Sequence, residues 1–122
     1  MIGGVIWNLA DAWSAAVDVT AAAYGVPADL LKAPSRGRGP RPPEPARWPK
    51  KMAVHVAVIV ADCDYAELGR LIGLHKDTVA SHCASVRDDC AISDQVERIS
   101  ELLVQLALVR LSVAPPARRK AA

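Results

Sequence analysis

The stretch Asp64-Tyr65-Ala66-Glu67-Leu68-Gly69-Arg70-Leu71-Ile72-Gly73-Leu74-His75-Lys76-Asp77-Thr78-Val79-Ala80-Ser81-His82-Cys83 decides the fold. Its residue types follow a helix-turn-helix order. Asp64 is suited to cap a first helix, because a short carboxylate accepts from unpaired amides at a helix start. Leu68 and Ile72 fall on one face of that helix. Gly69 is the small residue that lets a second helix come close. Gly73 supplies a left-handed turn at little steric cost. Leu74 plugs the corner and Val79 anchors the second helix. A plain helical hairpin would not need a small residue, a glycine and two plugs in this order. The pattern points to DNA binding, with the N-terminal part of the second helix meeting base edges.

The preceding segment, 48–61, is ambiguous by pattern alone. Val54, Val56, Val58 and Val60 alternate as in a strand, yet Ala53, Ala57, Ile59 and Ala61 between them are apolar too. Pro49 fits the first turn of a helix. Further upstream, residues 33–49 contain six of the nine prolines and two of the seven glycines. The run Pro34-Ser35-Arg36-Gly37-Arg38-Gly39-Pro40-Arg41-Pro42-Pro43 reads as a basic loop rather than helix or central strand. Residues 5–24 carry Ile6, Leu9, Trp13, Val17, Thr20 and Tyr24 at helical steps of three and four. Gly25 stops that helix, and Pro27 opens a short helical turn through Leu31. Trp7 and Trp13 read first as core residues, with a contact to another chain as the alternative for Trp7.

Downstream, Ser93 caps a last helix over 93–112 whose stripe is Val96, Ile99, Leu103, Leu106 and Val109/Arg110. Leu102, Leu108 and Leu111 lie off that stripe. They predict an apolar face covered either by a partner or by the N-terminal helix through Trp7 and Leu9. The tail 113–122 is expected to be disordered and basic. Residues 1–112 thus read as one domain, with the basic loop at 33–49 and the helix-turn-helix at about 64–90.

Charge is segregated although the net value is only +2. Residues 1–31 hold three acids and no base, whereas 32–51 hold seven bases and one acid, Glu44. Residues 52–92 hold three bases and six acids. A focused basic segment fits a polyanionic partner better than the total suggests. Arginine forms bidentate phosphate contacts and enters narrow minor grooves, so Arg36, Arg38, Arg41 and Arg47 are candidate DNA contacts. On the second helix of the motif, Lys76, Asp77, Thr78 and Ser81, with His75 beside them, are the candidate readers. Asp77 suits a cytosine amino group, and Lys76 suits guanine or phosphate. An Asp near a helix N-terminus also stabilises the helix whatever its partner.

At this length of 122 residues, with 52% apolar residues, no Phe and five aromatic residues, the core must be built from Ala, Val, Leu and Ile. No Gly or Pro interrupts Leu74–Val113, which favours helices, and the expected fold class is all-α. The longest apolar run, Met52–Ala61, includes His55 and falls short of the roughly 18 residues of a membrane span. His55 itself is expected to be semi-buried. Cys63, Cys83 and Cys90 form an odd set without paired spacing, and no secretory signal is legible, so free thiols in a reducing cytoplasm are expected. No metal is expected: His75, His82, Cys63, Cys83 and Cys90 give no C-x-x-C or H-x-x-x-H pattern. His82 reads as a packing residue, and Cys83 and Cys90, two turns apart, as core. The carboxylates Asp62, Asp64, Asp88 and Asp89 have no nucleophile or phosphate loop beside them, so no enzyme is expected.

The order of elements adds a resemblance. Val19…Tyr24-Gly25-Val26 is followed by Ala28-Asp29-Leu30-Leu31, a basic loop, Pro49-Lys50-Lys51-Met52-Ala53 and the helix-turn-helix. From about Val17 to Asp89 this resembles the C-terminal, origin-binding domain of the bacterial replication initiator DnaA. The resemblance implies a helix at the ambiguous segment. It also implies a minor-groove arginine at Arg47 or Arg41, Lys50 and Lys51 facing phosphates, and α-helical reading of the major groove. The family signature Asp-His-Thr-Thr-Val-x-His-Ala meets His75-Lys76-Asp77-Thr78-Val79-Ala80-Ser81-His82, where Thr78 and Val79 stay in register. No Gly-x-x-x-x-Gly-Lys-Ser/Thr occurs, so the ATPase module of that family is missing and no nucleotide is expected. The expectation is a nucleoid-associated, double-stranded-DNA-binding transcription regulator without a cofactor, such as an activator of gene-transfer-agent or phage-like genes. The alternatives are a replication modulator competing at initiator boxes, or an adaptor docking a co-regulator or RNA polymerase through the C-terminal helix.

Overall fold

Segment 44–61 is a helix, and it forms the centre of the molecule. The computed structural model describes residues 7–32 and 44–113. Six helices run in the order α1 (Leu9–Tyr24), α2 (Ala28–Lys32), α3 (Glu44–Ala61), α4 (Tyr65–Ile72), α5 (Lys76–Ile92) and α6 (Asp94–Ser112). The fold is all-α. Arg36, Arg38, Arg41, Ile6 and the tail 114–122 lie outside the described residues.

α3 packs against α1, α2, α5 and α6. That central position explains its sequence. Met52, Ala53, Val54, His55, Val56 and Ala57 are buried in unbroken succession, as expected of a helix enclosed on nearly every side. The alternating valines therefore reflect all-round burial, not a pleated strand. α3 also begins earlier than expected, at Glu44 rather than near Pro49, so the end of the basic segment is helical. Pro45 falls in the first turn, where a missing amide costs nothing. Pro49 forfeits one backbone bond, to the Pro45 carbonyl. Asp62, with a left-handed φ of 51°, ends the helix, a conformation Asp tolerates better than most residues.

α1 starts on Asn8, whose side-chain oxygen accepts from the Ala10 amide at 2.8 Å and the Asp11 amide at 3.2 Å. It ends on Gly25, where Val26 N–H bonds the Ala21 carbonyl at 3.1 Å. Small residues at Ala12, Ala15 and Ala16 bring this helix close to α3, while Trp13 and Val17 fill the space between. Trp7 is half-buried and packs on the same core.

α6 departs from its expected stripe. Its buried positions are Ser100, Leu103, Ala107 and Leu111. Leu111 is thus core, Leu108 is half-buried against the core, and Leu106 points outward. The side that includes Leu111 is covered from within the chain, because α1 packs on α6 and Arg110 Nη2 pairs with Asp18 Oδ2 at 2.9 Å. Ser93 caps the helix as expected, accepting from the Val96 amide at 3.3 Å. Among the described residues no helix is long and apolar enough to cross a membrane.

Candidate nucleic-acid interface

The geometry of α4–α5 follows from its residues one by one. Asp64 Oδ1 accepts from the Glu67 amide at 2.8 Å, and Glu67 Oε1 accepts from the Asp64 amide at 3.1 Å. This reciprocal box satisfies two of the amides a helix start leaves unpaired. Gly73 then adopts φ 78°. The turn closes on Gly69, whose carbonyl accepts from both Gly73 N–H at 2.9 Å and Leu74 N–H at 3.0 Å. A Cβ on Gly69 would overlap the Leu74 carbonyl oxygen, so this position takes glycine for a close backbone approach. Leu68, Leu74, Val79, Cys83 and Val86 are buried, and α5 packs on α4, α3 and α6.

Burying that face leaves the start of α5 outside. Lys76, Asp77, Thr78 and Ser81 are all exposed. His75 is exposed too, but it has a structural task. It is the N-cap, and its Nδ1 accepts from the Asp77 amide at 3.1 Å.

The basic segment meets this helix through α3. Arg47 is exposed in the opening turns of α3. Lys51 and Lys50 stand close enough to His82 for their charges to help depress its pKa, and His55 feels Arg87 in the same way further along both helices. α3 and α5 pack directly against each other. Lys50 departs from expectation. It is only 4% exposed, and burial lowers its pKa. It belongs to the packed edge of α3 rather than to a phosphate-facing surface. Lys51, half-buried, is the more accessible of the two.

The remaining titratable groups are those of an interior. His82 is half-buried with Nδ1 sequestered and unpartnered. Burial, then Lys51 and Lys50, push its pKa down to about 4, so it is neutral at pH 7. His55 is buried, more deeply than the semi-buried position expected, and burial likewise lowers its pKa. Burial pushes the Cys83 thiol up to about 11 and raises Cys63 and Cys90, the opposite of an activated thiolate. Cys90 is half-buried beside the core. Among the described residues no group of three His, Cys, Asp or Glu side chains could hold a metal ion.

Two long-range bonds were not legible in the sequence. Trp48 Nε1–H donates to Tyr24 Oη at 3.1 Å and ties the start of α3 to the end of α1. Arg87 donates to Tyr65 Oη at 3.3 Å and ties α5 to the first residue of α4. Both join residues more than twenty positions apart, which no local spacing could reveal. Compared with known proteins, the chain matches no family model, no curated protein and no solved structure.

Proposed function

We propose that this protein binds double-stranded DNA sequence-specifically, with the N-terminal edge of α5 in the major groove. Lys76, Asp77, Thr78 and Ser81 are the base-reading residues. Arg47 and Lys51, with Arg36, Arg38 and Arg41 of the preceding basic segment, contact the backbone or the adjacent minor groove. The observation that carries this reading is the tight turn at Gly69, Gly73 and Leu74. It fixes α5 against α4 while leaving its first turn exposed. A recognition helix needs that presentation. The likeness to the origin-binding domain of DnaA supports the same assignment from the order of elements.

Within DNA binding, the reading we favour is a transcription regulator, such as an activator of gene-transfer-agent or phage-like genes, with control of replication initiation as the alternative. Genome-wide mapping of bound sites separates the two. Peaks at promoters support the regulator, and peaks at the replication origin support the modulator. An absence of peaks refutes sequence-specific binding and favours an adaptor, for which the outward apolar side of α6 is the feature in favour.

A further inference from the structure

At the start of α5 one nitrogen faces two partners. His75 Nδ1 accepts from the Asp77 amide at 3.1 Å, and Oδ2 of the Asp77 carboxylate stands 3.6 Å from the same atom. The two contacts exclude each other. Nδ1 accepts only while it is unprotonated, and in the charged imidazole both ring nitrogens are donors. A proton taken up on acidification therefore goes to the accepting nitrogen, ends the cap and leaves a donor facing the carboxylate. Closing 3.6 Å to a charge-assisted bond of about 2.8 Å needs only side-chain rotation. Both side chains are exposed, 67% for His75 and 82% for Asp77, so solvent and a bound duplex reach them alike.

Asp77 is the acid among the four α5 side chains assigned to base edges, and an ionised carboxylate only accepts. A cytosine amino group and a protonated His75 are therefore competitors for it. The charged neighbours on α5 are Lys76 and Asp77. From α4, whose Gly69 backs onto the His75 backbone, the charged residues are Arg70 and Glu67, the latter bonded to the Asp64 amide. α3, also packed on α5, carries Arg47, Lys50 and Lys51, while α6 brings Glu97 and Glu101 to Cys90 at the other end of α5. Among the described residues it is Asp77 that reaches ion-pair distance of the imidazole. We propose that His75 is a positioning residue for Asp77: unprotonated, it caps the Asp77 amide and leaves the carboxylate to a base; protonated, it takes the carboxylate for itself, and base preference at that position weakens. The proposal rests on the reading of α5 as the recognition helix. An exposed ion pair is weak in water. The exchange is driven instead by the loss of the one lone pair that makes the cap, and DNA phosphates nearby favour the charged ring.

Duplex selection from a random pool at pH 8 and pH 6, with the full chain, tests it, since histidines in general change charge between pH 5 and 8. Asp77→Ala at pH 8 marks the motif position that Asp77 reads. At that position the parent is expected to lose about threefold or more of its discrimination at pH 6, while the other positions keep theirs. A cap that only held the helix together would not single out one position. His75→Asn retains a capping acceptor that does not titrate and is expected to give one motif at both pH values. His82, with its pKa near 4, stays neutral throughout this range. Without DNA, the Asp77 amide resonance is expected to shift between pH 8 and pH 6 in the parent and to hold its place in His75→Asn. A parent motif of equal strength at both pH values overturns the proposal and leaves the recognition helix standing. An Asp77→Ala variant that loses no position, a pH effect that persists in His75→Asn, or a parent amide that does not move overturns it as well. A parent that enriches no motif at either pH refutes base reading by α5, and this proposal with it. If His75→Asn unfolds the chain, His75→Ser, another capping residue, gives the same decision.

Discussion

Replacing Gly69 by Ala should destabilise the protein, although the usual expectation for a glycine within a helix is the reverse. Ala in place of a helical Gly normally gains about 0.5–1 kcal/mol, because Gly loses more chain entropy on folding. Gly69 sits inside α4, and its φ is not in the left-handed region, so that gain applies. Opposing it, the added Cβ would overlap the Leu74 carbonyl oxygen, a backbone atom that cannot swing aside as a side chain would. Leu74 is also tied to the Gly69 carbonyl by its own amide at 3.0 Å. Relief must therefore move the whole turn and shift α5 relative to α4. Overpacking of this kind costs about 1–3 kcal/mol and at times more. Because the clash falls on a backbone oxygen, the cost belongs in the upper part of that range, about 2–3 kcal/mol, and the net expectation is a loss of about 1–2 kcal/mol. In a domain of this size that lowers Tm by roughly 3–10 °C. Urea titration followed by circular dichroism at 222 nm measures it. A Gly69→Ala variant that is as stable as the parent, or more stable, would refute the close approach on which the helix-turn-helix assignment depends.

Further outcomes follow from the same geometry. DNA affinity should fall with salt at a log–log slope of about −0.9 per phosphate contact, and changing Arg36, Arg38, Arg41 and Arg47 together to Ala should flatten it; an unchanged slope makes the basic segment a spacer. Folding stability should decline as pH falls from 6.5 toward 4, because the unfolded chain takes up protons in that window while His82, with its pKa near 4, and His55, also lowered, resist them in the folded state. Urea titrations at pH 7.5 and pH 5 that give the same stability would contradict that environment for both histidines. Trp48→Phe and Tyr24→Phe should each cost about 0.5–1.5 kcal/mol and, because they remove the same bond, the double variant should cost less than their sum; full additivity would mean the bond contributes nothing.

What the sequence disclosed was mostly local. The Asp64 cap, the two turn glycines, Leu74 and Val79 lie within sixteen residues, each at a fixed offset, whereas the reciprocal bond from Glu67 was not read from the sequence. The start of α3 was hidden because Pro45 and Pro49 look like breakers, while a helix N-terminus tolerates the first and the second costs one bond. The inner stripe of α6 was misassigned for a different reason. Its buried positions include Ser100 and Ala107, where neighbouring helices approach closely, whereas a search for large apolar residues chooses Leu106 and Val109, which face out. Lys50 reads as a surface cation in sequence and becomes a packed residue only because α3 is enclosed. Of the candidate DNA contacts, the α5 residues were the most legible, since burying Val79 and Cys83 leaves Lys76, Asp77, Thr78 and Ser81 on the outside of one helix.

Sequence reading by α5 is tested most directly by selecting bound duplexes from a random pool at physiological salt and sequencing them, in parallel for the parent chain and for Lys76→Ala with Ser81→Ala. The parent should enrich a short motif within one turn of major groove. The variant, folded by circular dichroism, should lose preference at specific positions, each lost base contact weakening binding by about 1–3 kcal/mol. No enrichment by the parent, or the same motif at the same strength from the variant, would contradict the assignment of α5 as the recognition helix.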